Sequence, residues 1–265
     1  ELVIQILESD SNFNSGVGAV CTATGGHELD ASIMDGETLA CGAVGGVTTV
    51  EHPIALARLV MEETRHVLFV GRGAEQFADS LGDRVPRVPN SFFDTERTKR
   101  SLEEVLGRRA LETASTTAKD SDPHEIKGTV GCVVLDSHGH LAAGTSTGGL
   151  TGKTFGRIGD SPIIGAGTYA NDETCAISCT GVGEEYIRYG VARDIAARME
   201  YLGMGVAEAC DVLIHEVLQP GDGGVIGIDR QGNVAMSYNT TGMVRAVGNS
   251  KGRFDIGIWE EFEDL

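Results

Sequence analysis

Two short β-like segments joined by four polar residues stand out in the second half of the chain. Residues 129–136 and 141–146 are rich in small and β-branched residues, and Ser-His-Gly-His lies between them. A short glycine-containing connection between two such segments is typical of a β-hairpin. Residues 225–229 and 233–238, joined by Arg-Gln-Gly, repeat this arrangement. The sequence therefore predicts antiparallel β-structure.

Other segments carry their apolar residues at helical spacing. In residues 184–202, Ile187, Val191 and Ile195 recur every four positions, and glycine follows Leu202, as is common at a helix C-terminus. A second helix is predicted over 206–218, before Pro220. The first half predicts helices over 54–63, 73–81 and 94–111, and strands over 18–23, 31–34, 40–50 and 67–70.

Helix pairs and strand pairs occur in both halves of the chain. An antiparallel sheet buries one face against another layer, and an amphipathic helix does the same with its apolar stripe. We therefore expect an α/β layered fold, an αββα sandwich with two mainly antiparallel sheets between helix layers. With 265 residues, 41% of them hydrophobic, the chain is long enough for one structural domain with a sizeable core.

The charge of the chain limits its partners. There are 39 acidic and 21 basic residues, which gives a net charge of −18. Nucleic acid and anionic membranes would be repelled, so neither is expected as a partner. No apolar run approaches the length of a membrane span. The six cysteines lack metal-binding spacing and are expected to be free thiols, which favours a cytoplasmic setting.

The junction Gly128–Thr129 is a candidate for reactive chemistry. It joins residues 113–127, a segment without a hydrophobic pattern that we expect to be a flexible, protease-sensitive linker, to a strand expected to be buried and rigid. A threonine hydroxyl is a weak nucleophile, but a free α-amine on the same residue can act as its base. Cleavage before Thr129 would supply that amine. The alternative is a loop followed by an ordinary strand.

Polar residues near the end of the second hairpin strand lie across from Thr129. Thr145, Ser146 and Thr147 precede a Gly-Gly pair, and their hydroxyls could orient or polarise the Thr129 side chain. The alternative is that these residues are only the polar end of a strand followed by a glycine turn.

An arginine and an aspartate three residues apart are placed between glycines. Arg157 can bind a carboxylate in a bidentate manner, and Asp160 can accept from an ammonium group. Together they suit a small zwitterion. The alternative is a mutual ion pair within the loop.

A glycine-rich strand-to-helix turn follows at residues 179–184. Backbone N–H groups there, near Thr180 and Gly181, could stabilise an oxyanion or a phosphate, or simply form a turn. A remote alternative is a P-loop NTPase, because Gly152-Lys153-Thr154 resembles the end of that motif. The required first glycine is Thr147 instead, and no clear helix follows.

Eight segments, in order along nearly the whole chain, together resemble the plant-type L-asparaginase / isoaspartyl peptidase family of threonine-type N-terminal nucleophile hydrolases. They are residues 13–18, 28–36, 57–61, 128–131, 145–149, 156–162, 179–184 and 239–243. The resemblance implies an αββα fold and autocleavage that yields an α-chain part, residues 1–128, and a β-chain part, residues 129–265. It also implies a homodimer of αβ units, and an activity on the side-chain amide of L-asparagine and on β-aspartyl dipeptides.

The resemblance also implies roles for individual residues. Thr129 matches the nucleophile and Thr147 the hydroxyl that supports it, while Asn14 matches a residue beside them. The remaining matches are the oxyanion hole (Thr180 and Gly181), the group for the substrate α-carboxylate (Arg157), and the contacts to its α-amine (Asp160 and the Gly183 carbonyl).

No cofactor is expected for catalysis, but many members hold a structural sodium ion. The matching main-chain carbonyls are those of Leu7, Glu8, Asp10, Phe13, Ser15 and Val17. The family begins with a strand and a helix that precede the segment matched by Glu1, so we expect an N-terminally truncated α-chain part. Two further alternatives are a glycosylasparaginase-like hydrolase, although Gly128 replaces the aspartate usual there, and an unprocessed, inactive form that only binds amino acids.

Overall fold

The computed structural model describes residues 1–113, 128–154, 156–259 and 262–264. Apart from Thr113, which ends a helix, the predicted linker lies outside the described residues. Its flexibility and its sensitivity to proteases therefore stay predictions.

A five-stranded sheet contains the predicted hairpin around Thr129. Its spatial order is β3-β2-β1-β5-β4, and only the β2–β3 pair is parallel. The strands are β1 (Leu29–Asp35), β2 (Cys41–Val47), β3 (Leu68–Val70), β4 (Val130–Leu135) and β5 (Leu141–Thr147). Since β1 precedes Thr129 and pairs with β5, a cut before Thr129 would leave the two products joined in one sheet.

A second, fully antiparallel sheet has the order β6-β7-β8-β9. Its strands are β6 (Thr168–Ala170), β7 (Cys175–Gly181), β8 (Gly223–Asp229) and β9 (Val234–Tyr238). The predicted hairpin over 225–238 is confirmed as β8–β9. A small third sheet near the C-terminus contains β10 (Arg245–Gly248), β11 (Phe254–Gly257) and β12 (Phe262–Asp264).

Helices cover the outer faces of the two larger sheets. The α-helices in the described residues are α1 (Leu2–Glu8), α2 (Pro53–Glu63), α3 (Gly71–Ser80), α4 (Glu96–Thr113), α5 (Gly183–Tyr189), α6 (Val191–Leu202) and α7 (Val206–Val212). Helix α2 packs on β1 and β2, α3 packs on β2 and β3, α6 and α7 pack on the second sheet, and β4 and β5 face β6, β7 and β8. The predicted αββα layering is confirmed.

The single predicted helix over 184–202 is wrong, because the structure divides it at Gly190. That glycine has a left-handed φ of 59°, which permits a sharp change of direction. The N–H groups of Ala192 and Arg193 then donate to the carbonyls of Ala166 and Gly165. A distant loop therefore satisfies the first turn of α6. The other predicted helix, over 206–218, is regular only to Val212 and continues as a π-turn.

Two predicted strands also need correction. Residues 18–23 form no strand beyond one bridge between Thr22 and Lys153, since the N–H of Val20 donates to the Asn14 side chain. Strand β4 is only partly buried, with Val134 45% exposed, because it lies at the edge of its sheet. Within the described residues, none of the helices has the length and hydropathy needed to cross a bilayer.

Candidate active site

The hairpin register places Thr129 beside Thr147. Gly131 pairs with Thr145 and Val130 with Ser146, so Thr129 meets the end of β5. The Thr129 hydroxyl donates to Thr147 Oγ1 at 3.2 Å, and the Thr147 hydroxyl donates to the Gly128 carbonyl at 3.1 Å. A continuous hydrogen-bonded path thus runs from the Thr129 hydroxyl to the carbonyl of the preceding peptide bond.

Asn14 supplies a second donor to that carbonyl. Its Nδ2 atom lies 2.8 Å from the Gly128 oxygen and 2.8 Å from the Gly149 oxygen, while Oδ1 accepts from the Val20 N–H at 2.9 Å. The side chain is buried and its amide orientation is fixed by these three bonds. The Gly128 carbonyl therefore receives two donors, an arrangement that can stabilise negative charge on its oxygen.

Only one of the three predicted neighbouring hydroxyls contacts Thr129. Ser146 points to the opposite face of β5, where it donates to Glu8 at 2.6 Å. Thr145 lies deeper between the sheets, 2.7 Å from Ser178 Oγ. Alternation along a strand explains the position of Ser146. Thr147 alone is in place to support the Thr129 hydroxyl.

Arg157 is held by Glu184 rather than by Asp160. Its Nε and Nη2 atoms donate to the two carboxylate oxygens of Glu184 at 2.9 and 2.7 Å. These hydrogen bonds lower the pKa of Glu184. The alternative of a mutual Arg157–Asp160 pair is therefore wrong, and Glu184 is a functional candidate that the sequence motif contained without revealing its partner.

Asp160 is a buried carboxyl group with an oxygen available for a ligand. Its side chain is 4% exposed, and Oδ2 has no hydrogen-bond partner in the described part of the chain. Burial raises the pKa of Asp160 to about 7, although the nearby Arg157 opposes the shift. A Cβ atom at Gly183 would lie 2.9 Å from Asp160 Oδ1 and 2.9 Å from Arg157 Nη2. The three predicted head-group residues therefore meet at one place.

Thr180 and Gly181 connect the two groups of residues. They end β7, and α5 begins at Gly183 beside Arg157 and Asp160. At the other side, a Cβ atom at Gly131 would lie 2.1 Å from Ser178 Oγ, so β4 and β7 are pressed together. The predicted oxyanion residues thus lie on the strand that contacts the nucleophile strand.

The composition of this site limits what it can do. It combines a neutral hydroxyl path, a carbonyl held by two donors, and a charged pocket with one free carboxylate oxygen. Among the described residues, no group of three or more His, Cys, Asp or Glu side chains is placed to hold a metal ion. A nucleophilic hydroxyl beside a site for a small zwitterion suits acyl transfer from an amino-acid substrate.

Comparison with known proteins identifies the family. A family model described as asparaginase (Asparaginase_2) matches residues 1–258. The chain belongs to the asparaginase family. It is 48% identical over 262 residues to the isoaspartyl peptidase of Salmonella typhimurium, covering 97% of this chain and 82% of that protein. It is 47% identical over 266 residues to the isoaspartyl peptidase of Escherichia coli, covering 98% and 81%.

A human relative extends the similarity beyond bacteria. The chain is 40% identical over 260 residues to the human isoaspartyl peptidase/L-asparaginase, covering 97% of this chain and 81% of that protein. This asparaginase-family chain is therefore an enzyme of the hydrolase class.

The P-loop alternative is wrong for this asparaginase-family chain. Lys153 is buried, donates to the Glu28 carbonyl at 2.9 Å and lies 3.8 Å from Asp30. Burial lowers the pKa of Lys153 and raises that of Asp30. No helix follows within residues 156–167. Sequence reasoning missed this ion pair, and the signal for it was the aspartate between Leu29 and Ala31 near the start of β1.

The carbonyl-rich loop after α1 fits a hard cation. A Cβ atom at Gly16 would lie 2.0 Å from the Glu8 carbonyl oxygen, and one at Gly18 would lie 1.9 Å from that of Phe13. Ser15 Oγ is buried and has no hydrogen-bond partner among the described residues. Carbonyl oxygens suit hard cations, and glycine leaves room for them to converge. The residues present are thus compatible with the expected sodium ion.

Proposed function

We propose that the chain hydrolyses the side-chain amide of L-asparagine and the isopeptide bond of β-aspartyl peptides, with Thr129 as the N-terminal nucleophile. The relatives are an isoaspartyl peptidase and an isoaspartyl peptidase/L-asparaginase, which supports this substrate class. The observation that carries the mechanism is the hydrogen-bonded path from Thr129 through Thr147 to the Gly128 carbonyl, with Asn14 on the same oxygen.

Maturation is the first chemical step. The Thr129 hydroxyl attacks the Gly128 carbonyl carbon and passes its proton to Thr147, while Thr147 passes its own proton to the carbonyl oxygen, to which Asn14 also donates. Collapse of this intermediate breaks the Gly128–Thr129 C–N bond, the proton on that oxygen passes to the amine, and an ester forms. Water then hydrolyses the ester. The products are a free carboxylate on Gly128 and a free α-amine on Thr129.

Substrate hydrolysis reuses the same hydroxyl. The Thr129 α-amine takes the hydroxyl proton, and Thr129 Oγ1 attacks the β-carbonyl of the substrate. Thr180 and Gly181 stabilise the oxyanion, and Thr147 holds the hydroxyl in place. Ammonia or a peptide amine leaves with a proton from the α-amine. Water then attacks the acyl ester and releases aspartate.

The charged pocket determines which substrates enter. Arg157 binds the substrate α-carboxylate, and Asp160 with the Gly183 carbonyl accepts from its α-ammonium group. The free Asp160 oxygen and the fixed Arg157 geometry support this assignment. Because the pocket binds both the α-carboxylate and the α-ammonium group of the substrate, the substituent on the β-carbonyl lies outside the pocket. Asparagine and β-aspartyl dipeptides should both react, whereas α-linked aspartyl peptides should not.

Two alternatives differ in what they predict. A glycosylasparaginase-like enzyme would prefer a sugar on the amide nitrogen, but Gly128 replaces the aspartate usual in that branch. An unprocessed form would bind asparagine without turnover. The unprocessed form does not explain two donors on the carbonyl of the bond to be cut.

Three further properties belong to the same proposal. The loop carbonyls of Leu7, Glu8, Asp10, Phe13, Ser15 and Val17 would hold a structural sodium ion, with no cofactor taking part in catalysis. Two αβ units would form a homodimer. The six cysteines carry free thiols, which suits a cytoplasmic setting.

The proposed sodium site is tested by exchanging sodium for choline in the buffer. The melting temperature of the protein should fall if the loop carbonyls hold a sodium ion.

The nucleophile is tested with Thr129→Ala and its matched control Thr129→Ser. Release of aspartate is measured for asparagine, a β-aspartyl dipeptide and the α-linked isomer. We expect the native enzyme and Thr129→Ser to react with the first two only, and Thr129→Ala to react with none. Turnover by Thr129→Ala would refute the proposed function, as would equal rates on both peptide isomers.

A further inference from the structure

Four buried hydroxyl groups lie between the two large sheets, a region that is usually packed with apolar side chains. They belong to Ser32 on β1, Thr145 on β5, Thr168 on β6 and Ser178 on β7, and we call them the hydroxyl cluster. None is more than 3% exposed. Polar groups at such positions cost free energy unless each finds a partner.

The members of the hydroxyl cluster are partners of one another. Ser32 Oγ lies 2.7 Å from Thr168 Oγ1, Thr168 donates to Thr145 at 2.6 Å, and Thr145 lies 2.7 Å from Ser178 Oγ. This is an unbroken path across four strands. Such chains of hydroxyls reinforce one another, because each donor that also accepts becomes more polar.

One end of the hydroxyl cluster holds the segment that carries Asp160. Ser32 Oγ lies 2.6 Å from the Ser161 carbonyl and 2.7 Å from Thr168 Oγ1, so its one proton is shared between these two acceptors, and Thr145 lies 3.3 Å from the Gly167 carbonyl. A Cβ atom at Gly167 would lie 2.5 Å from the Asp160 carbonyl oxygen, so this turn folds tightly on itself. The position of the Asp160 carboxyl group therefore depends on these bonds.

The other end of the hydroxyl cluster reaches the nucleophile. Ser178 Oγ presses against Gly131, two residues after Thr129. Thr145 lies on the same strand face as Thr147, which bonds to Thr129. Ser178 is also two residues before Thr180. The cluster thus contacts each of the elements that carry the nucleophile, its oxyanion residues and the head-group carboxylate.

We propose that the hydroxyl cluster is a positioning device that holds the Asp160 segment in place against the strands that carry Thr129 and its oxyanion residues. This inference rests on the proposed function, because it requires that both groups act on one substrate. Hydrogen bonds are directional and short, so a path of four fixes spacing more tightly than apolar contacts between two sheets would. The residues act through Thr129 and Asp160, not on the substrate itself.

Thr168→Val tests the positioning role of the hydroxyl cluster at the centre of the cluster. Valine keeps the shape of threonine but removes the hydroxyl, which leaves Ser32 and Thr145 each without one partner. We expect the KM for asparagine to rise about tenfold, the typical effect of one lost buried hydrogen bond, while kcat changes less than about threefold. Thr168→Ser keeps the hydroxyl and should restore KM to within about twofold of the native value.

The matched control is Thr174→Val. Thr174 is also buried and lies in the turn that joins β6 to β7, but its hydroxyl bonds outside the hydroxyl cluster, to the Asn171 carbonyl at 3.5 Å and to the Cys175 thiol. This variant should lose stability without a change in KM. If Thr168→Val does not accumulate as folded enzyme, Ser32→Ala removes the bond to the Ser161 carbonyl with a smaller change and should raise KM in the same way.

The outcomes separate this inference from the proposed function. If the native enzyme releases no aspartate from asparagine, the proposed function fails. If it does, but Thr168→Val and Ser32→Ala keep the native KM, the positioning role is refuted. An equal rise of KM in Thr174→Val would also overturn it, because the effect would then follow lost stability rather than lost hydroxyls.

Discussion

The two halves of the candidate site are built from different chemistry. Around Thr129, the hydrogen-bonding groups are neutral: two hydroxyls, one side-chain amide and backbone groups. Around Asp160, they are charged: Arg157 and Glu184 form a bidentate pair, and burial raises the pKa of Asp160 to about 7. The two halves lie on different segments, joined through β7.

This difference separates the tasks of the two halves. Neutral donors fixed on a carbonyl stabilise charge only when it develops, so the Thr129 half should govern rates of bond cleavage. Buried charges attract a zwitterion before any bond changes, so the Asp160 half should govern substrate affinity and pH dependence. Mutations in one half should therefore leave the other task intact.

The largest effect is expected from Arg157→Ala. Loss of two charge-assisted hydrogen bonds to the substrate carboxylate should lower kcat/KM for asparagine by about 100- to 1,000-fold, mostly through KM. Maturation, followed by intact mass, should proceed at the native rate. The separation of tasks would be broken by an Arg157→Ala chain that stays uncut, or by native kinetics.

Asn14→Ala should have the converse effect. Loss of one donor to the Gly128 oxygen should slow self-cleavage by about 100-fold. Asn239→Ala is the matched control, because Asn239 also donates to two carbonyls, those of Ile214 and Gln219, and accepts from a backbone N–H. If both variants mature equally slowly, loss of stability rather than loss of the donor explains the delay.

The pH dependence comes from the charged half. Asp160 must be ionised to accept the substrate ammonium group, and its pKa is about 7 in the free protein. We expect kcat/KM to fall about tenfold per pH unit below that value, because the carboxylate is then protonated. A free α-amine, such as the base that cleavage would create on Thr129, ordinarily has a pKa of about 8 and adds a second limb at higher pH. Asp160→Asn separates the contributions of these two groups to the pH profile of kcat/KM. The variant should lose the pH dependence near pH 7 and keep any pH dependence that comes from the α-amine.

The smallest effect is expected from Glu184→Gln. Glutamine can still accept from Arg157 but carries no charge, so Arg157 should lose part of its orientation and KM should rise about threefold. Glu185→Gln is the control at the next position, where the carboxylate pairs with Arg188 on the surface. Native maturation is expected in both. A larger rise of KM in the control would show that helix α5, not the Arg157 pair, is being perturbed.

The sequence of one hairpin was enough to predict the half of the site that contains Thr129 and Thr147. The hairpin and its short connection set the register of β4 against β5, and this register brings Thr129 to Thr147 without further information. Local sequence likewise predicted α2, α4 and the β8–β9 hairpin to within a few residues. In each case the contacts that define the element lie close together in the sequence.

Long-range contacts made the rest unpredictable. The partner of Arg157 lies 27 residues away, and the hydroxyl cluster joins Ser32 to Thr168 across 136 residues. Neither pairing follows from spacing, because it depends on how two sheets stack. The break at Gly190 has the same origin, since carbonyls of a loop near Gly165 satisfy the start of α6. Resemblance to a family predicted which residues meet, but not the bonds that hold them.

Intact mass of the purified full chain after prolonged incubation tests the central claim most directly. The chain of 27.9 kDa should convert into two fragments that meet between Gly128 and Thr129, and turnover of asparagine should rise in proportion to the cut fraction. The result that would contradict the account is a single stable species of 27.9 kDa, whether it hydrolyses asparagine without a free Thr129 amine or only binds it.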